Sequence, residues 1–290
     1  MHIQWYPGHM AKTKRKIVED LKCIDIVVEL LDARIPTSSK NPQIDDIIGH
    51  KPKIILLNKS DLADPHVNEL WGNYFKQNNQ EYIYANSIIG KGIGELIASM
   101  EKQMASTLKR DLSKGRIHRQ VKCMILGIPN VGKSTLINKM AGRASAKTAN
   151  IPGVTRSNQW IKVNQKILLL DTPGILWPKF EDSITGLRLA WIGSIKDTIY
   201  DREEAALKLI AFLRKHYPTK LLERYAITIN DLDEDITLYE KIASARGFIQ
   251  KGGNIDYART AEMLLDELRK GKIGKISFEK PPDFNCIVCS

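Results

Sequence analysis

The sequence predicts an α/β fold, a mostly parallel sheet covered by helices, followed by a small all-helical domain. Three observations carry that reading. Short apolar strands alternate with helical patterns as far as residue 182. A glycine-rich loop stands between one such strand and a helix. From about residue 183 the strand signal stops while helical patterns continue, which divides the chain into 1–182 and 183–290.

The elements follow in order. Residues 10–22 put Lys and Arg on one side and Ile17, Val18 and Leu21 on the other, a short amphipathic helix. Ile24 to Leu31 reads as a strand ending at Asp32-Ala33-Arg34-Ile35-Pro36, and Lys53 to Leu57 as a second, running into Asn58-Lys59-Ser60-Asp61. Helical stretches near 66–78 and 93–108 flank a strand at Tyr82 to Tyr84. The charged segment 109–120 reads as an exposed connection, and Val121 to Leu126 as the next strand. Gln159 to Val163 and Lys166 to Leu170 form a hairpin-like pair. Helices are expected at 203–215, 219–225, 235–246 and 257–270, before a poorly patterned tail at 271–290.

Composition narrows the classes. The chain has 290 residues, 43% of them apolar, and no apolar run long enough for a membrane span. No signal core follows the N-terminus, so a cytoplasmic protein is expected. The formal charge of +11 is uneven: residues 121–200 hold 11 Lys/Arg against 4 Asp/Glu, whereas 201–290 hold 15 of each. That excess suits a polyanionic partner. Four cysteines do not make a disulfide framework in a chain of this length, and the Cys286, Cys289 pair lacks the two further ligands zinc needs.

Gly127-Ile128-Pro129-Asn130-Val131-Gly132-Lys133-Ser134 follows a strand and precedes a helix, the context a phosphate-binding loop requires. Val131, Gly132, Lys133, Ser134 and Thr135 would wrap the phosphates at the helix N-terminus. Lys133 would reach the β- and γ-phosphates, and Ser134 would ligate Mg²⁺. Asp171-Thr172-Pro173-Gly174 begins 37 residues after Ser134, with Asp171 facing Mg²⁺ through water and the Gly174 N–H facing the γ-phosphate. Thr155 is the expected switch threonine on Mg²⁺, with Thr148 as the alternative. Asn58-Lys59-Ser60-Asp61 supplies a carboxylate matched to guanine's two Watson–Crick N–H donors, so the three motifs together imply GTP and GDP rather than ATP. Asn86 and Ser87 follow a strand, where a backbone N–H would meet guanine O6.

The base-reading motif here precedes the phosphate loop, the reverse of the usual order. A pocket is fixed by geometry rather than chain order, so a sheet rewired at exposed ends keeps it. The rewiring also brings the end of this domain next to the switch regions, where residues 183–290 begin.

With that order, Trp5-Tyr6-Pro7-Gly8-His9-Met10, Asp32 to Pro36, Asn58 to Asp61, Gly127 to Ser134, Pro152 to Thr155 and Asp171 to Gly174 together resemble the circularly permuted GTPases. Specifically, the chain resembles the YlqF/RbgA ribosome-biogenesis family over nearly its whole length. The resemblance implies a circularly permuted P-loop GTPase domain and a helical RNA-contacting domain. It implies a GTPase stimulated by the large ribosomal subunit, acting late in that subunit's assembly on the precursor and its ribosomal RNA. Neither a membrane nor DNA is expected as partner, and a monomer is expected. The competing readings are a GTP-gated RNA-binding scaffold, suggested by Ile175 in the place where Ras-like enzymes carry a water-orienting Gln, and a translation factor, which the same basic surface would allow. The resemblance points to His9 as the group that orients water instead, and to Asn130 as a K⁺ ligand. Arg34 and Arg156 are further charge donors or fold supports. The catalytic set is then His9, Lys133, Thr155 and Gly174.

Overall fold

The computed structural model describes residues 8–115, 119–142, 160–170, 182–230 and 232–282, with side chains from residue 15 onward. These fall into two compact units, one drawn from Tyr6–Pro178 and Ser277–Ser290, the other from Lys179–Ile276.

The first unit is built on a six-stranded sheet in the order β3-β2-β1-β4-β6-β5. Its strands are β1 (Ile26–Asp32), β2 (Lys53–Asn58), β3 (Tyr82–Tyr84), β4 (Val121–Gly127), β5 (Trp160–Lys162) and β6 (Ile167–Leu170). All neighbours pair parallel except β5 with β6. Every residue of β1 is buried, as expected of a central parallel strand covered on both faces. Strand periodicity sends Val27, Glu29 and Leu31 to one face. There Val27, Met124 and Leu126 pack on Ile17 and Leu21 of α1 (Gly8–Leu21) and on Ile44 and Ile48. Leu31, Ile55 and Leu57 pack on Val67, Trp71 and Phe75 of α4 (Pro65–Gln77). The remaining helices are α2 (Pro36–Ser39), α3 (Ile44–Ile48), α5 (Ile93–Ser113) and α6 (Lys133–Ala141). Helix α5 runs five residues beyond the expected 108, into the segment read as an exposed connection.

Glu29 stands between those two apolar clusters and is fully buried. Lys53 Nζ lies 3.0 Å from its Oε2, yet neither carboxylate oxygen accepts a hydrogen bond of good geometry. Burial raises the Glu29 pKa, and Lys53 offsets this only partly. A carboxyl that keeps its proton to higher pH when folded makes stability fall as pH rises through the folded value. Glu29→Gln removes that loss. Its melting temperature should exceed the parent's by about 2–4 °C at about pH 8, and the gap should close at about pH 4. Thermal melts of both proteins across that range test this; a gap independent of pH would count against it.

The second unit contains α7 (Ser183–Trp191), α8 (Arg202–His216), α9 (Pro218–Tyr225), α10 (Asp235–Ala245) and α11 (Tyr257–Arg269). Leu209, Leu213, Leu221, Ile242, Leu264 and Leu268 are among its buried residues. Asp201 caps α8 by accepting from Glu203 N at 2.9 Å and Glu204 N at 3.1 Å. Helix α7 was not expected from the pattern. Its start is nonetheless marked in the sequence by Asp182, which accepts from Ile184 N at 2.9 Å.

The tail also departs from expectation. After Ile276 the chain enters the first unit, where Ser277, Phe278 and Glu279 are buried. What holds them is backbone and carboxylate hydrogen bonding, which leaves no periodic trace in sequence.

Candidate functional site

Ligands of parallel α/β sheets bind beyond the carboxyl ends of the strands. Register brings three such ends together here. Asp32 is paired with Asn58 across β1 and β2, and Leu30 with Gly127 across β1 and β4. The rewired chain order therefore leaves the base-reading segment and the phosphate loop side by side.

Asn58 fastens the two loops to each other. Its Nδ2 donates to Val131 O at 2.8 Å. Its Oδ1 accepts from Ser87 N at 3.0 Å and Ser87 Oγ at 2.8 Å. Lys59 makes the second tie, donating from Nζ to Asn130 O at 2.8 Å. Both ends of that bond are held in the left-handed backbone region, Lys59 at φ 57° and Asn130 at φ 58°. Non-glycine residues rarely adopt it, and such positions gather where function fixes the backbone. The loop itself needs glycine at Gly132, with φ 102°, where a Cβ would fall 2.4 Å from Asn58 Nδ2.

The loop ends in helix α6, whose first turn carries Lys133, Ser134 and Thr135. Lys133 is buried, whereas Ser134 and Thr135 are exposed. A helix N-terminus behind a backbone cradle offers a ring of N–H donors, which suits a polyphosphate. The donor set also fits Mg²⁺, since the Ser134 hydroxyl is a hard oxygen exposed at that turn.

Asp32 is the charged hub beneath. It is fully buried at the end of β1 and accepts from Arg34 Nε at 2.9 Å and Nη2 at 2.8 Å. Lys59 Nζ lies 3.1 Å from its Oδ2. Burial alone would raise its pKa, but the Arg34 and Lys59 cations outweigh that and hold the carboxyl well below the usual range. Of the alternatives left open for Arg34, the geometry favours fold support: the side chain is buried and pairs with Asp32 through Nε and Nη2. Asp32 falls in a motif to which the sequence assigns no task; an aspartate closing a mostly apolar strand was the available signal.

Asp61 is exposed, and its carboxylate carries no hydrogen bond or ion pair among the described residues. Its loop is fixed from behind, because Ser60 N and Oγ donate to Ala85 O at 3.1 Å and 3.0 Å. Asn86 N donates to Lys91 O at 3.1 Å, and Ser87 N donates to Asn58 Oδ1 at 3.0 Å, so both N–H groups tie the segment after β3 to its neighbours.

His9 falls in the first turn of α1, and its side chain lies outside the described residues. Thr148, Thr155, Arg156, Asp171, Gly174, Ile175, Cys286 and Cys289 also lie outside them. The described part of the site thus brings Asn58, Lys59, Asp61, Asn130, Val131, Gly132, Lys133, Ser134 and Thr135 to one end of the sheet. Among the described residues no cluster of His, Cys, Asp or Glu could hold a metal ion, and no helix is long and apolar enough to cross a membrane.

A parallel sheet with a glycine-cradled helix N-terminus, tied to a base-reading loop that comes earlier in the chain, defines a circularly permuted GTPase. Residues 122–241 match the family model of the 50S ribosome-binding GTPases, and residues 48–181 that of the RsgA GTPases. The ribosome biogenesis GTPase A of Bacillus cereus is 50% identical over 285 residues, covering 98% of this chain and 96% of that one. GNP-bound YlqF from T. maritima superposes with a TM-score of 0.63 at 28% identity, covering 93% of this chain and 99% of that one. Its GDP-bound structure gives the same TM-score at 29% identity, covering 92% and 99%. The chain belongs to the ribosome biogenesis GTPase A (YlqF/RbgA) family. It is a GTPase, with GTP, GDP and Mg²⁺ as its ligands.

Proposed function

We propose that this protein is a cytoplasmic, monomeric GTPase that binds the large ribosomal subunit precursor and its rRNA late in assembly, and hydrolyses GTP when the subunit stimulates it. The observation behind this is 50% identity to a ribosome biogenesis GTPase spread over 98% of the chain, helical unit included. Residues 1–182, joined by the tail from Ser277, act as the GTPase domain, and the helical residues from 183 to 276 as the RNA-contacting domain.

In this reading Asp61 selects guanine, Lys59 covers the base, and Lys133 neutralises charge on the β- and γ-phosphates. Ser134, Thr155 and, through water, Asp171 would hold Mg²⁺, which would supply positive charge to those oxygens. The Gly174 N–H meets the γ-phosphate. His9 orients the attacking water, a task that Ile175 has no polar atom to perform. K⁺ beside Asn130 adds the charge that an arginine finger supplies elsewhere.

GTP and ATP hydrolysis measured with and without purified large subunits tests the proposal. Stimulation specific to GTP is expected, roughly tenfold or more. GTP-dependent binding to subunits without faster turnover would replace it with a nucleotide-gated scaffold. His9→Ala should lower the stimulated rate by about 10²–10⁴-fold at unchanged GTP affinity, the range for losing a positioned acid–base group. Equal rates in KCl and NaCl would remove the K⁺.

A further inference from the structure

The segment Ser277–Glu279 lies 208 to 242 positions from the residues its side chains and carbonyl touch, yet it is built into the ground beneath the base-reading loop. Glu279 is buried, and its carboxylate accepts from Thr37 N at 2.7 Å and from Ser38 N at 3.0 Å and 3.1 Å, with Ser38 Oγ as a further donor. Helix α2 has no side-chain cap at its own N-cap residue, Ile35, so this carboxylate supplies the missing acceptor. Phe278 N donates to Arg34 O at 2.8 Å. Trp71 Nε1 donates to Glu279 O at 3.2 Å, and Asp64 N to Ser277 Oγ at 3.0 Å. Asp64 lies three residues past Asp61 and caps α4.

The path from Glu279 to the pocket is short. Ser39, the last residue of α2, accepts from Asp32 N at 3.1 Å through its Oγ. Asp32 in turn fixes Arg34 and Lys59, and Lys59 is tied to Asn130 O of the phosphate loop. Apart from the turn of α2 that joins Ser38 to Ser39, the links are hydrogen bonds or ion pairs, buried or part-buried as far as Asp32 and exposed only at the final Lys59 to Asn130 tie; in the buried part, loss of one partner strands the other.

We propose that Ser277–Glu279 is a strap that positions the guanine site, with Glu279 the positioning residue: it holds α2, α2 and Arg34 hold Asp32, and Asp32 holds Lys59 over the base. The strap starts at the residue after the helical unit's last, so the base-reading loop is braced by the chain's return from that unit. Glu279 touches no nucleotide in this scheme. It sets the affinity of the site from behind.

The inference rests on Asn58 to Asp61 being the base-reading segment, so the test separates the two. Full-length protein is titrated with fluorescent GDP, reading Kd and active fraction together, for the parent, Glu279→Ala, Glu279→Gln, Asp61→Asn and Glu29→Gln. Glu279→Ala is expected to raise Kd about tenfold, the scale of one charge-assisted hydrogen bond, at unchanged active fraction. Glu279→Gln, which keeps one acceptor oxygen, should recover part of that. Glu29→Gln, equally buried but away from the strap, should leave Kd unchanged. In turnover assays Glu279→Ala should raise KM and spare kcat.

A lower active fraction with parental Kd in Glu279→Ala would make the strap merely structural and overturn the proposal. If Glu279→Ala prevents folding, Ser277→Ala and Glu279→Gln carry the test, and parental Kd in both overturns it. If Asp61→Asn retains parental GDP affinity, the base-reading assignment itself fails, whatever Glu279 does.

Discussion

Gly132→Ala is expected to abolish useful nucleotide binding while leaving a folded protein. Two independent costs fall on this one methyl group. The backbone at φ 102° lies where L-residues are rarely found, and the added Cβ would sit 2.4 Å from Asn58 Nδ2. That amide cannot yield quietly. It donates to Val131 O, and its other end holds Ser87 N and Oγ, so displacing it loosens the phosphate loop and the base-reading loop together. Backbone strain of about 1–3 kcal/mol and stranded buried hydrogen-bonding groups at about 1–3 kcal/mol add to roughly two to four decades in Kd. Gly127→Ala makes the contrast. Its Cβ would meet Leu30 O at 2.8 Å, in the body of the sheet, so its first effect should be a lower melting temperature. Fluorescent GDP titration and thermal melts of the two variants separate the outcomes. Parental affinity in Gly132→Ala would mean that the loop does not bind as its geometry indicates.

The sheet and the loop were legible in sequence because each carried a periodic signal with a physical cause. Strand β4 is mostly apolar since both its faces are covered, and its last residue, Gly127, is required by close approach to β1. Helices α8 to α11 were legible for the same reason, as apolar stripes bounded by caps. What escaped notice was held by single polar contacts. Helix α2 spans only Pro36–Ser39, too short for any period, and its cap comes from Glu279. Asp32 looked like a motif residue of unknown task because one of its partners, Lys59, is brought to it only by the register between β1 and β2. Asn86 and Ser87 follow β3 as expected, but the partners of their N–H groups, Lys91 O later in the same segment and Asn58 Oδ1 at the end of β2, leave no periodic trace in sequence.

Asp61→Asn should convert guanine preference into xanthine preference at little cost to the fold. Asp61 is exposed and its carboxylate is unengaged among the described residues, so the melting temperature should hold within about 2 °C. The loop geometry should also persist, because Ser60 and Lys59, not Asp61, tie it to Ala85 and Asn130. Only the donor–acceptor pattern changes. A carboxylate offers two acceptors to guanine's N1–H and 2-amino group, whereas an amide replaces one of them with a donor. That donor would face another donor on guanine but an acceptor, the C2 carbonyl, on xanthine. A site built to hydrogen-bond a given group rejects the mismatched ligand strongly, so GDP should bind about 10²–10⁴-fold more weakly and XDP correspondingly better. Competition of GDP, XDP and ADP against a fluorescent nucleotide reads all three affinities in one experiment. Weak binding of every nucleotide would assign Asp61 a structural task in the loop. A switch to xanthine alone identifies this carboxylate as the group that reads the base, in a loop the chain lays down before the one that grips the phosphates.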